Sequence, residues 1–525
     1  MVIRPLSEVG QLGIPTPFGN RMTRTNRSLL ALASGAGGST FTLLLALLAT
    51  PVLLRLLGDE RVGTHRVALE WLGYLALLDF GLGGALQAAV ARRLGRGERD
   101  AALADVRNAM RLFARVAVVQ LAALAAFAGL AGWVVRGLTP EMLAELRWGL
   151  LVGAVGLLLA PLAALRPLLD GSQRSYWVNL ALLFQSVGTT AFAVLFAWLG
   201  WGLVGQFAAA LVGSSVLNLV LLVVVSRTYP NLWGRRLESR PDPLPAAWSM
   251  FAFNLVGRFS VLSDGIILGA ILGPAEVVRF VLTQRLMLVA VGQVQGIGNA
   301  TWAALAELHH AGDHDAFRRR FLQLNRWTAI LVVAGLGPLV ILNERLVSLW
   351  VGAPRFAGDT LTWLTAAQGA LLAQIGLWAW PLVGCGFVRA TLPVMLIGSG
   401  INLLVSVAAT HEFGLIGPAV GTATGYLLVY YGWYPRLLDR KFGLRPLAVM
   451  KDLPLAILVF LPVGAILRVC TDGVTEGLMS SRVLDFVIWT ATAGVTGLIY
   501  LVIAWRVLTP TEERSALARR VWGRA

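Results

Sequence analysis

The chain has 525 residues, of which 57% are hydrophobic and only 14% are charged, and its mean hydropathy is +0.71. Soluble proteins contain about 25% charged residues, so this composition excludes a protein that folds in water. The formal net charge of +16 does not point to nucleic acid, because membrane proteins collect Arg and Lys on their cytoplasmic loops.

The first half of the chain predicts a short tail and six membrane spans. Residues 1–28 have no apolar core of signal-peptide length, so we expect a cytoplasmic tail. A helix needs about 20 apolar residues to cross the hydrocarbon. Stretches that qualify lie at 29–54, 67–90, 112–135, 148–169, 176–199 and 202–226. They predict an N-terminal six-helix bundle, residues 29–226.

The second half of the chain repeats this arrangement after a cytoplasmic linker, residues 227–247. Its apolar stretches lie at 248–272, 280–305, 327–350, 361–388, 391–410 and 414–435. They predict a C-terminal six-helix bundle, residues 248–435. Residues 436–525 hold two extra spans, 453–471 and 483–508, and a cytoplasmic tail. The sequence therefore predicts an all-α polytopic membrane protein with about 14 transmembrane helices.

The basic residues predict the orientation. Most of the 44 Arg and Lys residues lie on the alternate connections that include the N-terminus. The positive-inside rule therefore places both termini in the cytoplasm. We expect a multi-pass protein of the bacterial cytoplasmic (inner) membrane.

An internal repeat relates the two bundles. Residues 85–111 and 300–326 align without a gap, 215 positions apart, and Leu57-Gly58 aligns with Leu272-Gly273 at the same offset. Identities within the aligned segments fall at Ala85/Ala300, Ala88/Ala303, Ala89/Ala304, Ala91/Ala306, Gly97/Gly312, Asp100/Asp315, Ala101/Ala316 and Arg111/Arg326. Each half holds an even number of spans, so the pseudo-twofold axis runs along the membrane normal and a substrate path is expected between the halves.

The motifs at the second span resemble a known superfamily. Residues 78–85, Leu-Asp-Phe-Gly-Leu-Gly-Gly-Ala, are followed by Ala91-Arg92-Arg93 and Gly97-Glu98. Together with the turn Gly171-Ser172-Gln173-Arg174, they are similar to the polysaccharide transporter branch of the multidrug/oligosaccharidyl-lipid/polysaccharide flippase superfamily. The resemblance covers roughly residues 29–435.

The resemblance implies alternating access between two six-helix bundles. It implies a flippase that carries undecaprenyl-pyrophosphate-linked oligosaccharide units for cell-surface polysaccharides such as lipopolysaccharide. The expected partners are this lipid-linked substrate, membrane lipids, and a polysaccharide polymerase and glycosyltransferases encoded nearby, with the monomer as the working unit. No cofactor or metal is expected beyond coupling to Na⁺ or H⁺. A cation-coupled multidrug antiporter and a lipid II flippase are the alternatives.

Glu70 and Arg285 are repeat equivalents of opposite charge, 215 positions apart in the second and eighth spans. A pseudo-twofold axis brings them face to face, so they predict an outer gate that is paired when the cavity faces the cytoplasm. Alternatively, each side chain reaches water independently near the membrane surface.

Arg258, Asp79 and Asp264 are ionisable residues within spans, and such residues are functional candidates because burying a charge in lipid is costly. Arg binds phosphate oxygens bidentately and stays charged when desolvated, so Arg258 is the candidate ligand of a substrate pyrophosphate. Asp79 or Asp264 is its candidate partner in a resting salt bridge that the pyrophosphate replaces. The alternatives are a purely structural pair and, for either Asp, a cation or proton site.

An enzyme is not expected. The longest predicted outer loops have only about a dozen residues, which is too short for the catalytic domain of a membrane glycosyltransferase. The phosphate-binding motif G-x-x-x-x-G-K-[ST] of a nucleotide-driven pump does not occur in the sequence. The sequence therefore predicts a transporter.

Overall fold

The computed structural model describes residues 24–234, Leu255, 263–472 and 481–515. The described residues before 235 are called the first half below, and those from 263 onward the second half. Regular structure in both is helical, because a backbone in lipid must satisfy its hydrogen bonds within its own segment. The helices of the first half are α1 (Arg24–Ala76), α2 (Leu82–Gly95), α3 (Arg99–Val134), α4 (Pro140–Gly156), α5 (Leu165–Gly171), α6 (Ser175–Trp198) and α7 (Gly202–Thr228).

The second half begins with α8, which is described over residues 263–271. The helices that follow are α9 (Pro274–His310), α10 (His314–Val351), α11 (Asp359–Gly384), α12 (Val388–Phe413), α13 (Gly417–Gly425), α14 (Gly432–Phe442), α15 (Pro446–Met450), α16 (Asp452–Asp472) and α17 (Arg482–Leu508). This order follows the predicted order of spans.

Eleven helical stretches among the described residues are long and apolar enough to cross a membrane. Two of these stretches each contain two predicted spans. Gly58, with φ 79° and ψ 164°, divides α1 into a first arm and a second arm, and Gly414 turns the chain between α12 and α13. The seventh predicted span, 248–272, lies mostly outside the described residues. The architecture is thus the predicted polytopic one, with about 14 spans.

Two predicted spans are less regular than the sequence indicates. The stretch 67–90 is interrupted after the second arm of α1 by a 3₁₀ turn, Leu77–Asp79, and by left-handed backbone at Phe80 and Gly81. Asp79 Oδ1 accepts a hydrogen bond of 2.9 Å from the Gly81 N–H and so stabilises this break. The stretch 414–435 contains a π-helical turn, Tyr426–Tyr431, and continues as α14 to Phe442.

The backbone repeats along with the sequence. Gly58 and Gly273 share a conformation that strongly favours glycine, with φ of 79° and 101° and ψ of 164° and 169°. Positive φ recurs at the same 215-residue offset in the pairs Gly97/Gly312 and Gly137/Gly352. The side of the molecule that holds Gly58 is called the Gly58 end below, and the sequence predicts it to be the outer side. The opposite side, with Gly97, is called the Gly97 end.

Glu145 of α4 holds three helices of the first half together. Its carboxylate accepts hydrogen bonds of 2.9 and 2.7 Å from Arg61 Nε and Nη2, on the second arm of α1. It also accepts a hydrogen bond of 3.0 Å from the Leu203 N–H in the first turn of α7, where the helix itself offers no partner. The side chain therefore links α1, α4 and α7.

The two extra spans pack on α10. Asn325 of α10 donates hydrogen bonds to Asp452 Oδ2, at 2.7 Å, and to the Val449 carbonyl, at 2.8 Å, while its Oδ1 accepts one of 2.7 Å from Trp378 Nε1. Arg326, the next residue, forms an ion pair of 3.1 Å with Glu513 beyond α17. These buried contacts tie the extra spans to the second half, so we expect them to move with it.

Candidate functional site

The two halves are in direct contact at the Gly58 end. A Cβ added to Gly63, on the second arm of α1, would collide with the backbone of Pro274 at the start of α9. Val67 and Glu70, further along the same arm, lie against Gly269 and Gly265 of α8 in the same way. Small residues let helix backbones approach closely in a membrane, and here they close the path between the halves.

Hydrogen bonds across the same contact reinforce the closure. Arg355 Nη2 and Nε lie 2.7 and 2.8 Å from Asp59 Oδ1, which joins the loop after α10 to the turn within α1. The Arg136 N–H donates to the Gly269 carbonyl and its Nη1 to the Ile271 carbonyl, at 3.0 and 2.9 Å. Carbonyls at the C-terminal end of a helix lack hydrogen-bond donors within the helix. Arg136, from the opposite half, supplies donors to two such carbonyls of α8.

Glu70 lies inside this contact. It is only 4% exposed, so it does not reach water independently, as one interpretation of the sequence expected. Its Oε1 accepts a hydrogen bond of 3.0 Å from Arg66 Nε, one helical turn earlier. Its other oxygen, Oε2, is buried and lies against the backbone of α8 at Gly265.

Asp264 of α8 is a charged neighbour of Glu70 from the other half. Its Oδ1 is buried and without a hydrogen-bond partner in the described part of the chain. The two carboxylates are close enough to repel each other. Tyr74 lies within the electrostatic range of both, and Tyr426 within that of Asp264. Two buried carboxylates, one from each half, therefore lie close together at this contact.

Arg285 of α9 is partly buried and takes part in none of the ion pairs of the described residues. Arg66 is near enough to repel it. Glu70 forms its ion pair with Arg66, so the predicted direct pair between Glu70 and Arg285 is not formed in this conformation. Their role as an outer gate stays a prediction.

The remaining predicted site residues are separated from this cluster. Asp79 lies nine residues beyond Glu70, where it caps the break in the second span. Arg258 lies outside the described residues, so a salt bridge with Asp79 or Asp264 stays a prediction as well. Within the described ranges, no group of three His, Cys, Asp or Glu side chains is arranged to hold a metal ion.

Towards the Gly97 end, the repeat-equivalent helices α2 and α9 face open space. Gly84 and Gln87 are exposed on α2, and a Cβ added at Gly84 would meet no atom within 4 Å. On α9, Gln293 and Trp302 are exposed, and Gly296 has equally empty surroundings. From these exposed positions we infer a cleft between the halves, and the contacts described above close it at the Gly58 end.

Sequence reasoning missed the residues that close the cleft. Asp59 and Arg355 are 296 positions apart, and the repeat places Pro274 and Pro140 at their equivalents, so no pattern connects them. The pairing of Arg66 with Glu70 could have been found, because their spacing of four residues places them on one helical face.

Solved transporter structures share this fold. A lipid II flippase, MurJ, in an inward closed conformation matches with a TM-score of 0.66 and 14% identity, over 92% of this chain and 99% of that one. An inward-facing multidrug resistance MATE family transporter of the MOP superfamily matches with a TM-score of 0.63 and 16% identity, over 76% and 95%. A MOP superfamily transporter from Pyrococcus furiosus matches with a TM-score of 0.56 and 16% identity, over 81% and 97%.

Sequence comparison assigns the family. No curated protein sequence matches the chain. A family model described as "Polysaccharide biosynthesis protein" matches residues 33–307, which is more than half of the chain and spans the boundary between the halves. This multi-pass membrane protein belongs to the polysaccharide biosynthesis protein family, and its fold is that of the MOP superfamily transporters.

Proposed function

We propose that the protein is a flippase that moves undecaprenyl-pyrophosphate-linked oligosaccharide units across the bacterial cytoplasmic membrane for cell-surface polysaccharide synthesis. The observation that carries this proposal is the closed contact of the halves at the predicted outer side, together with exposed positions on α2 and α9 towards the predicted cytoplasmic side. A substrate assembled in the cytoplasm enters a cleft of this orientation. Rocking of the halves then opens the Gly58 end, with both termini in the cytoplasm throughout.

The pyrophosphate requires cationic ligands within the protein. Arg285 is partly buried and has no carboxylate partner among the described residues, so it is free to bind an anion. Arg258 is the second candidate ligand of the pyrophosphate, because a guanidinium group binds phosphate oxygens. We propose that both bind the pyrophosphate, with Asp79 outside the binding set because it caps the break in the backbone.

Reconstitution tests this function. Proteoliposomes containing undecaprenyl pyrophosphoryl-N,N′-diacetylchitobiose are treated with an impermeant galactosyltransferase, which labels the glycans in the outer leaflet. We expect the protein to make the inner-leaflet glycans accessible at a rate well above that of protein-free liposomes, and the Arg285→Ala and Arg258→Ala variants to be slower. An unchanged rate with Arg258→Ala contradicts its role, and no acceleration by the wild type contradicts the function.

Asp264 favours a cation-coupled mechanism as the second candidate. A buried carboxylate without a partner is costly in a membrane, and a bound proton or Na⁺ removes that cost. We propose that Asp264, facing Glu70, binds the coupling cation. Imposed pH and Na⁺ gradients should change the transport rate of the wild type but not of Asp264→Asn.

Ethidium is the second cargo tested in the same liposomes. Transport of ethidium without transport of the lipid-linked glycan would identify a multidrug antiporter.

The cellular setting follows from the same proposal. The protein acts as a transporter rather than an enzyme, and the working unit is the monomer, because each chain contains both halves of the cleft. A polysaccharide polymerase and glycosyltransferases supply and consume its substrate. Their genes are expected beside the gene of this protein.

A further inference from the structure

The middle of the cleft is polar without being charged. Residues 286–306 of α9 and 82–91 of α2 contain no charged side chain. The exposed positions described on α9 in this stretch are Leu288, Gly292, Gln293, Gly296, Trp302, Ala303 and Ala304. The charged cluster of Glu70, Asp264 and Arg285 lies nearer the Gly58 end. A pyrophosphate bound at Arg285 would therefore lie nearer that end than the uncharged stretch.

The exposed face of α9 carries one large aliphatic side chain, Leu288, but it also carries Gln293, which does not suit a lipid-facing surface. The helix α17 shows what a lipid-facing surface of this protein contains, namely large aliphatic side chains such as Val487, Val495, Ile499 and Val502. Exposed glutamine in place of such side chains would be costly in hydrocarbon. The exposed face of α9 also corresponds through the repeat to that of α2, because Trp302 is the equivalent of the exposed Gln87. Both faces therefore line the cleft.

Trp302 is held as a rigid platform within this cleft. It is 37% exposed, and one side of its ring lies directly over Gly384 of α11, where a Cβ would be 2.6 Å from Trp302 Cε3 and 3.0 Å from Cζ3. Only a residue without a side chain admits the ring there. The rest of the side chain is partly exposed, and the indole N–H donates to none of the described residues.

Amides and a second indole lie further along the same contact between α9 and α11. Gln295 Nε2 lies 3.7 Å from a Cβ placed on Gly376 of α11, so its amide group sits between the two helices. The Trp380 ring edge lies at the same distance from a Cβ placed on Gly298. Gln293 is exposed on the cleft side of α9. The neighbourhood thus combines two aromatic rings with amide donors and acceptors.

A pyranose ring matches this chemistry. Its C–H face is apolar and carries slightly positive hydrogens, so it stacks on the negative face of an aromatic ring. Its hydroxyl groups need donors and acceptors such as amides, which fix its orientation. We propose that Trp302 and Trp380, with Gln293 and Gln295, form a carbohydrate subsite that binds the glycan of the transported lipid. This inference rests on the proposed flippase function.

Transport of two lipids tests the subsite. The probes are undecaprenyl pyrophosphoryl-N,N′-diacetylchitobiose and glycan-free undecaprenyl pyrophosphate, detected from outside with galactosyltransferase and with an impermeant phosphatase. Trp302→Ala is expected to lower kcat/KM for the glycan-bearing lipid about tenfold, equivalent to about 1.4 kcal/mol, and to leave the glycan-free lipid unaffected. Trp302→Phe should retain most of the rate. The matched control is Trp363→Ala, an exposed tryptophan on α11 outside the subsite, which should change neither rate.

Direct binding separates the subsite from the transport function. Saturation-transfer difference NMR on the protein in nanodiscs uses free lactose, maltose and N,N′-diacetylchitobiose. We expect transfer to the ring C–H protons of at least one of these glycans with the wild type and with Trp363→Ala, and its loss with Trp302→Ala. Glycan binding without transport of either lipid would refute the flippase function and keep the subsite. No transfer to any glycan, or an equal loss of transport of both lipids in Trp302→Ala, overturns the subsite.

Discussion

Removing the Asp59–Arg355 ion pair should open the Gly58 end. Two guanidinium nitrogens lie 2.7 and 2.8 Å from one carboxylate oxygen, and the side chains are 33% and 24% exposed. Fully exposed pairs contribute about 0.2–1 kcal/mol, and hydrogen bonds to charged groups about 1.5–3 kcal/mol. Because the pair is partly exposed, we expect it to stabilise the closed conformation by about 1 kcal/mol. Its loss should therefore raise the ratio of open to closed molecules about fivefold.

Distances between spin labels measure this shift. Trp133 and Phe413 are exposed at the Gly58 end of α3 and α12, one in each half, and accept labels after replacement by Cys in a background without Cys385 and Cys470. Double electron–electron resonance should show a larger long-distance population in Asp59→Asn, in Arg355→Gln and in the double variant alike. Shifts that add in the double variant would show that the two side chains act independently. An unchanged distribution in all three variants refutes the reasoning.

Three further predictions concern closure and stability. Gly63→Ala should widen the same label distance, because its Cβ meets the α9 backbone, whereas Gly292→Ala, with nothing within 4 Å of its Cβ, should not. Asn325→Ala should lower the free energy of unfolding by about 2–4 kcal/mol, seen as a lower Tm in detergent, because it leaves buried hydrogen-bonding groups unsatisfied. Glu145→Ala should also lower Tm, whereas Tm should stay unchanged in Glu141→Ala, the exposed control on the same helix.

Hydrophobicity and the internal repeat made the fold predictable. Apolar length determines where a helix can cross the hydrocarbon, so the predicted spans correspond to the described helices with shifted boundaries. The repeat anticipated paired turns such as Gly58 and Gly273, because both positions adopt backbone angles that strongly favour glycine. The break at Phe80 was not predicted, since it depends on a left-handed non-glycine residue held by a local hydrogen bond.

The contacts between the halves could not be derived from the repeat. It correctly identified Glu70 and Arg285 as equivalent positions, but equivalence does not determine which partner a side chain selects. Arg66 is one turn from Glu70 on the same helix and pairs with it at 3.0 Å. The ion pair of Asp59 and Arg355 joins positions that the repeat does not relate, so only the packing of the halves shows it.

A reversible lock on the Gly58 end tests alternating access, the central claim, most directly. Asp59→Cys and Arg355→Cys are introduced without the native cysteines and joined by a short reducible bis-methanethiosulfonate cross-linker in the proteoliposomes that contain undecaprenyl pyrophosphoryl-N,N′-diacetylchitobiose. We expect cross-linking to stop exposure of the glycan to external galactosyltransferase, and reduction to restore the original rate. Transport at the full rate while the cross-link is intact would contradict it.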